Sequence, residues 1–127
     1  MKKLLFICIC FLSLKTFAQD TAKIKREWLG VLTLTEKYKD EKNWTDKDQA
    51  VVGEHFQRLV KYKEKGVLVL AGRTDLATND PNMMGLVIFY AKDEKEALDF
   101  MMNDPAVKNK IMIAKVYPYG IALNKCQ

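Results

Sequence analysis

Serine is nearly missing from this 127-residue chain: Ser13 is the only one. None occurs within residues 19–127, which excludes a Ser-His-Asp hydrolase there. Histidine is as scarce, with His55 alone, and the cysteines are Cys8, Cys10 and Cys126. One imidazole and one C-terminal thiol are too few for a structural zinc site. Six Gly and three Pro do not make a low-complexity chain, and Gly66 and Gly72 lack the spacing of a phosphate-binding loop. No period of about 20–50 residues recurs, so a repeat array is excluded as well. At 49% hydrophobic and 29% charged residues, the composition is that of a single globular domain.

Residues 1–18 read MKKLLFICICFLSLKTFA. Lys2 and Lys3, the apolar run of residues 4–14, and Thr16 and Ala18 at the −3 and −1 positions make the layout of a secretory signal peptide. The run is too short to span a bilayer, which takes about 20 residues. Cleavage after Ala18 is therefore expected, leaving residues 19–127 as one domain, secreted or periplasmic, with no stable membrane insertion. Loss of Lys2, Lys3 and Lys15 leaves 18 basic against 16 acidic residues, a net charge of +2. With no basic stripe interleaved with aromatics, that balance argues against nucleic acid as a partner. Cys126 would remain alone, so no internal disulfide is expected and the thiol is read as incidental.

Residues 27–35 (EWLGVLTLT) are apolar on both alternating faces and read as an interior strand. Residues 36–43 read as a charged loop. Thr45 and Asp48 resemble a capping box, and Val52, Phe56, Leu59 and Val60 recur at helical spacing over residues 46–65, with Gly66 as the stop. The charged residues Lys47, Asp48, Arg58, Lys61 and Lys65 lie mainly outside that stripe. Residues 67–73 and 85–91 read as strands joined by a polar turn at 74–84. Asp93 caps a second helix whose Ala97, Leu98, Met101 and Met102 are expected to face inward. Asp104-Pro105 restarts a short helical turn, with Asp104 read as its cap rather than as a catalyst. Residues 111–117 form the last strand. The order β-α-β-β-α-β predicts an α+β, ferredoxin-like sandwich with both helices on one face of a four-stranded sheet. The other apolar face then calls for a partner, most simply a second copy, giving a homodimer through the sheet faces.

Four segments, in order, carry a resemblance: His55-Phe56-Gln57-Arg58-Leu59, Leu70-Ala71-Gly72-Arg73-Thr74, Gly85-Leu86-Val87-Ile88-Phe89 and Asn103-Asp104-Pro105-Ala106-Val107-Lys108. Over residues 28–123 the chain resembles the YciI-like (YCII-related) family. The resemblance implies a dimeric α/β barrel and a pocket between helix and sheet, where a His and an Asp have been proposed as a catalytic dyad. One branch includes a dehydrochlorinase of chlorinated hydroxyquinones. Carried over, the family histidine falls on His55. The acid falls just after the second strand, on Asp75 or, deeper in a longer loop, on Asp80, with Asp75 favoured. A serine that often follows the third-strand glycine is replaced by Leu86.

His55 sits at the edge of the helical stripe, where an imidazole can exchange protons near neutral pH and a carboxylate can fix its tautomer. A boundary histidine bonded to a loop is the plain alternative. Arg73 could clamp a carboxylate or phenolate in a two-pronged contact, or pair with Asp75 or a helix acid. Met83, Met84, Met101 and Met102 read as core or pocket lining. The function expected is cofactor-free proton transfer of lyase or isomerase type on a small, aromatic or anionic molecule. His55 and Asp75 would be catalytic, with Arg73 and Asp80 binding substrate. The alternative is a small-ligand-binding or accessory module without turnover; a haem-binding barrel with His55 as axial ligand is a third reading.

Overall fold

A computed structural model describes residues 25–124. The expected leader at residues 1–18 and Cys126 lie outside the described residues. The elements follow the sequence pattern closely: β1 (Arg26–Leu34), α1 (Asp46–Glu64), β2 (Leu68–Arg73), β3 (Gly85–Ala91), α2 (Glu94–Met102), α3 (Pro105–Lys108) and β4 (Met112–Pro118). The sheet order is β2-β3-β1-β4, and every neighbouring pair is antiparallel. This is an α+β architecture of ferredoxin-like kind.

Alternation along β1 decides which sheet face is covered. Trp28, Gly30, Leu32 and Leu34 are buried, while Leu29, Val31 and Thr33 between them are only half-buried. Across the sheet, Val87, Phe89 and Ala91 of β3 join the same covered face. Leu59 and Tyr62 from α1 and Ala97 and Met101 from α2 close over it. Burial of one such large apolar side chain contributes roughly 1.5–3 kcal/mol, so Phe89, fully buried, is a principal stabiliser. A second cluster of Leu34, Tyr38, Val51, Ala106 and Ile111 seats α3 beside the start of α1.

The ends of α1 are fixed by local chemistry. Thr45 accepts the Asp48 N–H and Asp48 accepts the Thr45 N–H, a complete capping box. Beyond the helix, Gly66 adopts φ +67°, the left-handed conformation that glycine takes without a Cβ penalty. Gly30 serves a different need. A Cβ there would lie 2.6 Å from Met101 Sδ and Cε, so the bare backbone admits the α2 methionine onto β1.

Three details depart from the sequence reading. Residues 36–43 form two short 3₁₀ turns, Glu36–Lys39 and Glu41–Asn43, and Tyr38 among the charges is buried. Its hydroxyl donates to Asp48 at 2.9 Å, and the Trp44 indole donates to its carbonyl. In α2 only Ala97 and Met101 are buried, whereas Leu98 and Met102 face solvent because the contact stripe is narrow. On α1, Phe56 is 60% exposed, since the helix stands away from the sheet there and leaves a cavity.

Candidate active site: a histidine and a carboxylate beside a cavity

The gap between α1 and the β2 half of the sheet is a partly open cavity of about 1080 Å³. Val52, His55, Phe56, Leu59 and Lys63 of α1 form one wall, and the whole of β2 forms the other. Trp44, Thr78 and Met83 also line the cavity. The lining is mostly apolar with a few polar groups, the usual composition of a small-molecule site.

His55 lies on this wall with its side chain 12% exposed. Its Nδ1 is 2.8 Å from Asp104 Oδ2. Asp104 is buried, and its other oxygen, Oδ1, accepts the Ala106 N–H at 2.9 Å. Asp104 therefore caps α3, as its position before Pro105 predicts, and also holds the ring. One carboxylate has two oxygens, and each takes one of the roles. An ionised carboxylate can only accept, and against it Nδ1 takes the donor role in its N–H form. Nε2 makes no hydrogen bond among the described residues.

The cation beside this pair is Arg58, one turn along α1. Its Nη1 lies 3.5 Å from Asp104 Oδ2, and its Nη2 donates to the Phe100 carbonyl at 2.6 Å. The guanidinium packs over two rings, 4.4 Å from the Phe100 centroid and 4.8 Å from that of Tyr62. Read from the helical wheel as lying outside the apolar stripe, Arg58 is in fact mostly enclosed.

The residues expected around His55 are placed elsewhere, with one exception. Arg73 ends β2 opposite Gly85 and lines the same cavity, with no ion pair to Asp75 or to any other described residue. Asp75 is exposed in the β2–β3 loop and is not on the cavity wall. Asp80 borders a smaller recess of about 380 Å³ and accepts the Asn82 N–H within its own loop. Neither hydrogen-bonds to His55; the carboxylate on the ring is Asp104. The physical reason is that α1 packs against α3, while the β2–β3 loop leaves from the sheet edge. Sequence reasoning missed Asp104 and Arg58 as a pair with His55, although His55-to-Arg58 spacing of three residues on a helix does put both on one side.

Among the described residues no group of three His, Cys, Asp or Glu side chains is arranged to hold a metal ion, and no helix is long and apolar enough to cross a membrane. The family model described as YCII-related domain matches residues 31–119, which include all three α-helices, the cavity walls, His55 and Asp104. The chain belongs to the YCII-related domain family. Comparison with curated proteins finds no match. In this YCII-related domain, an imidazole held by a buried carboxylate lines a mostly apolar chamber.

Proposed function

We propose that this YCII-related domain is a cofactor-free enzyme of lyase or isomerase type that moves a proton on a small, partly apolar, anionic molecule. The observation that carries the reading is the 2.8 Å contact between His55 Nδ1 and the buried Asp104 carboxylate at the cavity wall. Asp104 takes the supporting place that sequence reasoning gave to Asp75. Held in the Nδ1–H form, the ring offers Nε2 as the base. Nε2 takes a proton from a carbon of the bound molecule and returns it at another position, or retains it while a leaving group departs. Arg73, in no ion pair among the described residues and lining the same cavity, would hold the substrate anion.

On this reading the protein works outside the cytoplasm, as a secreted or periplasmic domain, supported by the signal-peptide layout of residues 1–18. Its second partner is another copy of the chain, seated on the open sheet face. Leu29, Val31 and Ile88 there are half-buried, and Ile113 and Tyr117 are about half exposed. Such an apolar face on a soluble domain favours burial against a like surface.

Incubation in D₂O with a panel of small phenols and carboxylic acids tests the chemistry. Proton transfer at carbon incorporates deuterium into the ligand, or releases an elimination product, and both are visible by NMR. We expect exchange with the wild type and none with a folded His55→Ala variant. Equal exchange by both proteins would sink the mechanism. Ligand binding with neither exchange nor elimination would leave a binding module in its place, a reading that the absence of serine after Gly85 favours.

A further inference from the structure

We infer that Arg58 is a positioning residue of the site, one that keeps His55 in the neutral form with its proton on Nδ1. The role deepens the proton-transfer reading above and rests on it for its use, though not for its test. Asp104 is 2% exposed, and a carboxylate so deep in the protein requires a compensating positive charge. Two groups can supply it: an imidazolium at His55, or the guanidinium of Arg58. Both face the same oxygen, Asp104 Oδ2, at 2.8 and 3.5 Å. Since arginine remains charged at all accessible pH values, it fills the requirement permanently, and the histidine can stay neutral. Of the three ring forms, only the neutral Nδ1–H one leaves a basic nitrogen, Nε2, away from Asp104.

The surroundings of Arg58 fit a fixed charge rather than a mobile surface one. Its side chain is 14% exposed. Phe100 and Tyr62 hold its guanidinium, and Phe100 is itself stacked on the fully buried Phe89 at 4.3 Å. The hydrogen bond to the Phe100 carbonyl fixes its orientation from α2. Thus α1 presents both His55 and Arg58, α2 orients the guanidinium, and α3 contributes the carboxylate as its cap. The other charged groups along the cavity are Glu41, Lys63 and Arg73, all exposed, where solvent screens them strongly. None of the three contacts Asp104. Arg58 is thereby the charge that sets the ring's state.

Removal of the positive charge has two chemical outcomes. Either His55 takes a second proton to balance Asp104, or Asp104 becomes protonated and the ring proton moves to Nε2. Both deplete the neutral Nδ1–H form, and ring nitrogen shifts separate the three states. The experiment is ¹⁵N NMR of the full chain, labelled at its single histidine, at neutral pH. Wild type is expected to show the neutral Nδ1–H ring. In Arg58→Gln, which retains donors but not charge, that form falls about tenfold or more, as loss of a unit charge a few ångströms away requires. Arg58→Lys, which retains the charge, restores it. Wild-type spectra dominated by imidazolium or by the Nε2–H tautomer would overturn the assignment. So would a Gln variant with wild-type ring signals. Where Arg58→Gln is unfolded, the Lys variant decides: a ring unlike wild type in that folded protein overturns the charge role, and a matching ring supports it. No turnover is needed, so a protein that converts no ligand but shows the Arg58-dependent ring defeats the enzyme reading alone.

Discussion

His55 and Asp104, 49 positions apart in sequence, meet at 2.8 Å and join the middle of α1 to the first turn of α3. The contact unites two functions in one carboxylate, since the oxygen not facing the ring caps the short helix. Substitution at Asp104 therefore reads on stability and chemistry at once, and the two effects can be separated by choice of replacement.

Asp104→Asn keeps an oxygen for the Ala106 N–H but turns the group facing the ring into an amide. If that amide presents its N–H₂ to Nδ1, the ring proton must sit on Nε2, and the lone pair needed for proton abstraction is lost. We expect a folded protein with at least a hundredfold slower deuterium exchange, within the usual range for losing a general base of about 10²–10⁴-fold. Loss of the buried charge beside Arg58 should also cost stability, on the order of 3 kcal/mol for breaking a buried pair. Denaturant unfolding measures that loss. Wild-type exchange by this variant would detach Asp104 from the chemistry.

At Gly30 the question is steric. A methyl group there meets Met101 Sδ and Cε at 2.6 Å, and Met101, 2% exposed, has little room to withdraw. Gly30→Ala should lose about 1–3 kcal/mol, the cost of overpacking a filled core. Met101→Ala alone should lose about 2–5 kcal/mol by leaving a cavity. Combined, the two should cost less than their sum, because the small residue in α2 makes space for the methyl on β1. Strict additivity in thermal or denaturant unfolding would contradict the packing.

The capping box provides a pH-dependent prediction. The Thr45 hydroxyl and backbone, foremost, hold the Asp48 carboxyl below its ordinary range, helped by Tyr38 and Lys37. A group whose value is depressed by folding adds stability above its unfolded value, and that contribution fades as pH falls through the folded one. Thr45→Ala should therefore be less stable than wild type near neutral pH, through loss of the cap. Its gap from wild type should narrow under acid conditions, below the aspartate range. Melting curves between neutral and strongly acid pH check the sign; a gap that widens in acid would refute it.

Most of the fold was legible because binary patterning and stop signals agreed. Residues 85–91 form β3 without adjustment, and Thr45 and Gly66 bracket α1 as their chemistry predicts. The misses have a common source in tertiary context. Phe56 carries the helical period yet faces the cavity mouth, because helical spacing cannot tell a packed wall from an empty one. Tyr38 is buried within a charged segment through bonds to Asp48 and Trp44 that local pattern does not encode. At the site, His55 and Arg73 were recognisable as candidates. Asp104 was identified correctly as a cap, but which element its second oxygen would meet depends on how α1 and α3 pack. For Arg58, polarity suggested solvent, whereas aromatic faces and a buried carboxylate provide its actual surroundings.

The open side of the sheet leads to the last prediction. Leu29 pairs with Ile88 on one flank and with Tyr117 on the other, and Val31 pairs with Leu86 and Lys115. Opposed residues share a face, so these side chains form one surface, apolar apart from Lys115, with Ile113 opposite Thr33 at its β4 end. Lys115 lies between Ile113 and Tyr117 on the edge strand β4, and a lysine there discourages edge-to-edge pairing with another sheet. Its aliphatic stem can still lie along an apolar seam while the ammonium reaches water. Face-to-face association of two copies is thus favoured over extension of the sheet. Wild type is expected to sediment as a dimer at micromolar concentration. Ile113→Glu, which places a carboxylate in the seam but disturbs no contact within the subunit's core, should sediment as a monomer with an unchanged circular dichroism spectrum. A monomeric wild type would remove the dimer and require another cover for this face.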